Sequence, residues 1–331
     1  MKKITEIFES FNKLNILIVG DVMVDAYLWG NVTRISPEAP VPIVSCTKRE
    51  NRLGGAANVG LNALALGATP IICSIIGSDE KGEIFMGLMK EKGLPIQGLF
   101  RDGSRATTSK TRIISNDQQL LRVDQELTND IACGLETELL KRIKNAIDNT
   151  GVDAIIFQDY NKGTVTPKII DDVIKTANEK QIPVLVDPKK KNFLSFNNVS
   201  LFKPNFKEFT EGLGLDVNKN DTDKLFKSAQ KIHQEKNIQN ILITLSEKGV
   251  FISNKGGYKT FPAEIRDIAD VSGAGDTVIS VAGVCMAAGM DAETTALISN
   301  IAGGLVCEKV GVVPIDKNLL LEECIKLNIG V

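Results

Sequence analysis

The sequence predicts an α/β fold: a doubly wound, mostly parallel sheet with helices on both faces and a small β-sheet lid. Three observations predict it. From residue 130 onward, short apolar strand-like runs alternate with helical segments, as in successive βαβ units. NILIVGD (15–21) and PIICSIIG (70–77) are continuous apolar runs, which suits strands covered by helices on both faces. Two stretches, 27–50 and 99–124, break that rhythm with β-formers, prolines or polar–apolar alternation, and read as strands and loops standing off the core.

Taken in order, residues 4–11 read as a short amphipathic helix. Lys2 and Lys3 are followed by Glu6, Glu9 and Asn12, which argues against a signal peptide. The first strand ends at Gly20-Asp21, and Asp25 lies just beyond. Ligands of open α/β sheets collect outside the carboxyl ends of the strands. Asp21 and Asp25 are therefore candidate contacts for a polyol, each carboxylate accepting from two hydroxyls, although both also suit caps of the next element. AYLWGNVTRISPEAPVPIVSCTK, with Pro37, Pro40 and Pro42, suggests short strands. RLGGAANVGLNALALGA (52–68) reads as a glycine turn opening a helix. Gly54 and Gly55 permit close approach there, and Asn58 offers both a donor and an acceptor. Segment 78–93 is an amphipathic helix for which Ser78 is the expected cap. Segment 99–124 alternates like an antiparallel pair and carries Arg105, Lys110, Arg112 and Arg122. These cations fit either an anionic substrate group or a solvated strand face. With 27–50 the segment forms a lid, which would keep water from a reactive group.

The regular part runs helix 130–148, strand 153–160, helix 167–179, strand 182–189, the segment 201–209, helix 221–235 and strand 240–246, with β-rich sequence to 262. Strand ends finish in polar groups, Gln158-Asp159, Asp187-Pro188-Lys189, Lys203-Pro204-Asn205 and Thr244-Leu245-Ser246, so a cleft is expected along that edge.

DVSGAGDT (270–277) precedes a small-residue apolar run. Val278, Val281, Ala282 and Cys285 recur at helical spacing, so Gly273-Ala274-Gly275 falls at the N-terminus of a buried helix. Unpaired N–H groups and the positive end of the helix dipole make an anion site there. Asp276 would repel an anion unless it takes a proton from whatever attacks that anion. A glycine cradle with an adjacent base is what phosphoryl transfer to a hydroxyl requires. A tight turn followed by a first-turn charge would have the same sequence.

The totals exclude other classes. With 43% hydrophobic and 24% charged residues the chain can bury a sizeable core. Net charge −2 without a Lys/Arg block argues against nucleic-acid partners, and 5% aromatics argues against base stacking. The six cysteines form no C-x-x-C pair and mostly sit in apolar runs, as buried thiols of a reducing compartment would. The single histidine, His233 in KIHQEK, excludes His-based triads and His-rich metal sites, and is expected on a solvated helix face. The longest apolar run, near 278–290, is too short for a bilayer, so a soluble cytoplasmic chain with no membrane partner is expected. There is no P-loop, no G-x-G-x-x-G and no G-x-S-x-G.

GGAANVG (54–60) and DVSGAGDT resemble the two signatures of the ribokinase-like (PfkB) carbohydrate kinases. KPNFKEF (203–209) resembles that family's N-x-x-E element, and TLSEKGV (244–250) its T-x-G-x-x-G turn. GDVMVDAYLWGNVTRISPEAPVPIV, TTSKTRIIS, QQLLRVD and VDPK further resemble the bacterial kinases within it that act on D-glycero-β-D-manno-heptose 7-phosphate. Those kinases make the 1,7-bisphosphate for the lipopolysaccharide core. The resemblance covers nearly the whole chain. It implies a ribokinase-like main domain (1–26, 51–98 and 125–331), a lid (27–50 and 99–124) and a homodimer paired through the lids. It also implies the use of ATP, Mg2+ and a monovalent cation such as K+. Many relatives carry an adenylyltransferase domain after the kinase; with the sequence ending near 331, that activity is expected to be absent.

By the same resemblance, Asp276 is the base for the anomeric hydroxyl, and the N–H groups of Gly273, Ala274 and Gly275 hold the charge on the γ-phosphate. Asn205 and Glu208 organise Mg2+ through water. Lys189, Thr244, Ser246 and Gly249 lie near the ATP phosphates, and Asn300 near the adenine. Asp21, Asp25, Gly54, Gly55 and Asn58 hold the sugar, while Lys110, Arg112 and Lys162 meet its phosphate. Loops around Asp267–Ala269 and Cys307–Gly311 bind the monovalent cation through carbonyls. Two positions depart from the pattern: Ser246 and Asn161 stand where the family or its close relatives tend to have Gly, and Ser246 is expected to be strained if its φ is positive. Another kinase of the same fold, acting on ribose, fructose 1-phosphate, tagatose 6-phosphate or a nucleoside, is the alternative. A non-catalytic nucleotide- or sugar-binding protein is a second.

Overall fold

The computed structural model describes residues 3–330 apart from 117 and 265. The chain begins with α1 (Ile4–Ser10) and enters the sheet at β1 (Asn15–Gly20). Two long strands, β2 (Val22–Ile35) and β3 (Pro42–Gly55), leave and return, followed by α2 (Ala56–Ala65), β4 (Thr69–Gly77), α3 (Glu80–Glu91) and β5 (Leu99–Asp102). A second excursion, β6 (Ser109–Ser115) and β7 (Gln118–Gln125), precedes the alternating part: α4 (Cys133–Asn149), β8 (Ala154–Gln158), α5 (Pro167–Glu179), β9 (Val184–Asp187), β10 (Leu201–Phe202), α6 (Phe206–Leu213), α7 (Thr222–Glu235) and β11 (Asn240–Thr244). The last elements are β12 (Val250–Asn254), β13 (Gly257–Phe261), α8 (Ala274–Ala287), α9 (Ala292–Cys307) and α10 (Lys317–Lys326).

Nine strands form one sheet in the order β13-β12-β11-β10-β9-β8-β1-β4-β5. All its pairings are parallel except those of β12 with β11 and with β13. The apolar runs explain the layers, because successive strand residues face opposite sides. Ile16 and Ile18 of β1 belong to the core shared with α2, α8, α9 and α10, whereas Leu17 and Val19 belong to the core shared with α4, α5 and α7 on the other face. Chain order reverses at β1, between β8 and β4, so the crevice of this sheet opens beyond Gly20 and Gln158.

The second sheet, β3-β2-β6-β7, is the lid. Its core is two 14-residue strands rather than short pieces, because β2 and β3 run unbroken from the main domain into the lid. Leu99–Asp102, expected in the lid, instead pairs with β4 at the edge of the large sheet. The α3 cap is Asp79, not Ser78: its side chain accepts from Gly82 N and also from Thr107 N. His233 corrects a further expectation. It is 1% exposed, its Nδ1 paired with Ile238 O and its Nε2 with Ser253 Oγ, because this face of α7 packs on β12. Four cysteines are buried, while Cys46 and Cys133 are exposed. Among the described residues no helix is long and apolar enough to cross a membrane.

Candidate active site

Of the four strand ends expected to form a cleft, those at Gln158, Asp187 and Lys203 meet around Asp276. Gly273, at φ 82°, turns the chain into α8, and no side chain caps that helix. Ala274 N donates to Val271 O at 3.3 Å, while among the described residues the Gly275 and Asp276 N–H groups take no backbone acceptor. Gly275 matters for a different reason: a Cβ there would lie 3.8 Å from Lys203 Nζ, so the lysine ammonium stands beside the glycine loop.

Asp276 is in the first turn of α8 and buried. Its Oδ2 accepts from Asn58 Nδ2 at 2.8 Å, and its Oδ1 from Tyr160 OH at 2.6 Å and Gln158 Nε2 at 3.0 Å. Burial pushes its carboxyl up to about 6, with the Asp187 carboxylate adding to the rise, against the Asn58 and Tyr160 hydrogen bonds and the Lys203 charge. Burial and the neighbouring Asp276 also hold the Tyr160 phenol well above its usual range. Gln158 Nε2 reaches Asp187 Oδ2 at 3.3 Å as well, and Lys203 pairs with that same oxygen at 3.0 Å, both charged side chains being almost fully enclosed.

Asp21 lies in the crevice, but its carboxylate is committed to the backbone. It accepts from Tyr160 N, Lys162 N and Thr164 N at 2.9–3.0 Å, so it anchors the loop after β8. Neighbouring Asp159, raised to about 6 by burial and by Asp21, accepts from Asn161 N and Asn192 Nδ2. Asn161 has φ 55°, which explains a Gly-like position filled by the residue type that best tolerates it.

Asp25 faces the root of the lid, where Arg112 Nη1 approaches its Oδ1 to 2.5 Å. Gly54 is required opposite: a Cβ would fall 2.2 Å from Asp25 Oδ2. Gly55, at φ 61°, turns β3 into α2, which carries Asn58. Arg52 and Arg112 both approach the Tyr27 ring, with cation–centroid distances of 4.8 and 5.3 Å. Lys110 pairs with Asp124 and Glu126, and Lys162 with the other oxygen of Glu126 at 2.8 Å. The three cations proposed for a phosphate are thus near the cleft, each held by a carboxylate.

At the other end, Asn205 and Glu208 cap α6 reciprocally, and Lys189 pairs with Glu208. Burial alone would lower the Lys189 ammonium, yet Asp187 and Glu208 hold it above its usual range. Thr244 bridges to Asn205 across the strand ends. The turn after it places Ser246 at φ 57°, the strained position expected, and Gly249 at φ 83°, where a Cβ would strike Phe261 O. Asn300 Nδ2 donates to Pro262 O. Asp267 and Ala269 are exposed, and the N–H groups of Ala269 and Asp270 both donate to Cys307 O, joining the two loops assigned to a monovalent cation.

Sequence reasoning passed over Tyr160, Gln158, Asp187 and Lys203 as site residues. The signal for three of them was present in the polar ends of β8, β9 and β10; nothing local pointed Tyr160 at Asp276.

A mostly parallel sheet with a β-lid, a helix N-terminus that no side chain caps and an adjacent buried carboxylate suit phosphoryl transfer to an alcohol group. The chain belongs to the pfkB family of carbohydrate kinases, whose family model matches residues 13–318. It is 35% identical over 311 residues to the bifunctional protein HldE of Geobacter metallireducens. That match takes in 94% of this chain and 63% of the relative, so the chain spans about three fifths of its length. Escherichia coli phosphofructokinase-2 in complex with potassium superimposes with a TM-score of 0.78 at 16% identity, covering 95% of this chain and 99% of that one. Arabidopsis thaliana ribokinase complexed with ribose and ATP gives 0.71 at 16%, covering 93% and 98%. The fold is ribokinase-like.

Proposed function

We propose that the chain is an ATP-dependent kinase that phosphorylates the anomeric O1 of D-glycero-β-D-manno-heptose 7-phosphate to the 1,7-bisphosphate. The observation that carries the chemistry is the buried Asp276 carboxylate in the first turn of α8, three residues after Gly273, at a helix start that no side chain caps. The relationship to HldE over 94% of the chain supports this sugar over the other family substrates.

In this reading the γ-phosphate of ATP lies against the Gly273–Gly275 loop, where open N–H groups and Lys203 offset its charge. Asp276 accepts the proton of the anomeric hydroxyl as that oxygen bonds to the γ-phosphorus and the bridging P–O bond to ADP breaks. Asp25, Gly54, Gly55 and Asn58 shape the sugar subsite; Asp21 acts one step back, through the loop it holds. Lys110, Arg112 and Lys162 meet the sugar's own phosphate, which replaces carboxylate partners the lysines hold otherwise. Lys189, Thr244, Ser246 and Gly249 line the nucleotide phosphates, and Asn300 is on the adenine side.

Mg2+ fits this donor set. It binds through one or two carboxylates plus phosphates and keeps several waters, and Glu208 beside Asn205 offers one carboxylate at the cleft. Asp187 Oδ1 is buried and, among the described residues, has no hydrogen-bond partner. Held there through water, Mg2+ would neutralise phosphate charge; every proton step belongs to the chain's own residues. A potassium requirement through the 267–269 and 307–311 loops, and a homodimer covering the exposed Leu121 and Val123 of β7, complete the proposal.

The test is ADP release over a panel of sugars and sugar phosphates, with and without potassium, and phosphorus NMR of the product. Preference for the heptose 7-phosphate with a new anomeric phosphate supports the proposal. Preference for ribose, fructose 1-phosphate, tagatose 6-phosphate or a nucleoside overturns the substrate, and no ADP release with any acceptor overturns catalysis.

A further inference from the structure

The two oxygens of Asp276 are not equivalent. Oδ1 receives two donors, Tyr160 OH at 2.6 Å and Gln158 Nε2 at 3.0 Å, whereas Oδ2 receives Asn58 Nδ2 alone. A carboxylate oxygen offers about two good acceptor directions, so Oδ1 is filled and Oδ2 keeps one open. Hydrogen bonds to the ionised form also make Oδ1 the less basic atom.

We propose that Tyr160 is a positioning residue which, with Gln158, saturates Asp276 Oδ1 and leaves Oδ2 as the atom that takes the substrate proton. The proposal rests on Asp276 being the base. What makes Tyr160 fit for the task is the rigidity of its loop. Asp21, 1% exposed, ties down the N–H groups of residues 160, 162 and 164, and Asp159 ties down that of Asn161. Lys189 Nζ lies 5.4 Å from the Tyr160 ring centroid and adds a cation–π contact to the ring. The phenol keeps its proton throughout the working pH range, so it orients the carboxylate without competing for the transferred proton. In the step itself the hydroxyl O–H breaks toward Oδ2, the new O–P bond forms, and the bridging P–O bond breaks with ADP leaving. Tyr160 neither gains nor loses a proton. This also gives the buried Asp21 a structural purpose, since three of its acceptor directions are taken by backbone N–H groups of this loop.

The test is Tyr160→Phe, which keeps the ring and removes the donor, alongside Gln158→Met, which removes the other donor to Oδ1. Each is followed by the pH dependence of kcat and kcat/KM on whichever sugar the wild type accepts, and by thermal unfolding. The charged groups facing Asp276 are Asp187, Lys203 and Lys189; none is altered. Loss of a donor to the ionised carboxylate raises its pKa, so the acid limb moves to higher pH. We expect a shift of about one pH unit for Tyr160→Phe, the usual worth of a hydrogen bond to a charged group. We also expect kcat to fall about tenfold with little change in KM, a modest part of a general base's contribution. Tyr160→Phe and Gln158→Met that both leave the limb in place, while lowering only stability, overturn the proposal. If Asp276→Asn turns over like wild type, it is the assignment of the base that fails instead.

Discussion

Asp276→Asn separates catalysis from stability in a way only a strained buried base would. The carboxyl is raised from 3.8 to about 6 by burial. The folded state therefore holds its proton longer than the unfolded chain does. Stability is highest below the unfolded value, falls as pH rises from about 4 through about 6, and stays reduced above that. A shift of roughly two units corresponds to about 3 kcal/mol at pH 8, at about 1.4 kcal/mol per unit. The amide removes that cost while its carbonyl can still accept from Tyr160 and Gln158. The new NH2 would face Asn58 Nδ2, but Asn58 Oδ1 is buried and, among the described residues, has no partner, so turning the Asn58 amide supplies an acceptor. The variant should melt several degrees higher at pH 8, by about 2 °C per kcal/mol for a chain of this size. Its advantage should shrink toward pH 4. Turnover should fall by roughly 10²–10⁴ with ATP binding intact, the typical worth of a general base. Differential scanning calorimetry across pH, ADP release and nucleotide titration measure the three quantities. A variant less stable than wild type at pH 8, or one with near wild-type turnover, refutes the reasoning.

Other perturbations follow from the same geometry. In the wild type, kcat/KM should decline below about pH 6, where Asp276 takes up its proton; a pH–rate profile flat down to pH 5 contradicts this. Lys203→Met strands the Asp187 carboxylate in a buried site and should cost about 3–5 kcal/mol in denaturant unfolding, the usual penalty for breaking a buried pair. Gly54→Ala drives a methyl into Asp25 and should raise the sugar KM while costing about 1–3 kcal/mol of stability; an unchanged KM would remove Asp25 from the sugar subsite. Glu126→Gln frees Lys162 and leaves Lys110 on Asp124 alone, and should lower KM for a phosphorylated sugar by about two- to fivefold, as for partly exposed ion pairs, with no change for its unphosphorylated analogue.

Much of this was legible before the structure. The strand–helix alternation followed from apolar runs of strand length, and the start of α8 at Gly273 from a glycine ahead of a small-residue helix. The lid was legible as a break in period, but not its strand lengths: β2 and β3 carry a polar, proline-flanked stretch on an exposed two-sided sheet, where alternation is weak. His233 misled because its neighbours in sequence are polar while its own face meets β12. Asp21 read as a ligand contact because a carboxylate at a strand end looks the same whether it meets a sugar or three backbone N–H groups. Tyr160 was invisible for a plainer reason. Its partner, Asp276, is brought to it only by packing α8 against the parallel sheet, and no local pattern encodes that meeting.

The most direct test of the whole account is a crystal structure with a non-hydrolysable ATP analogue and the acceptor sugar. The account predicts the γ-phosphate against the N–H groups of the Gly273–Gly275 loop and the anomeric oxygen about 3 Å from Asp276 Oδ2, the reach of a general base. A γ-phosphate away from that loop, or an acceptor hydroxyl nowhere near Asp276, would contradict it.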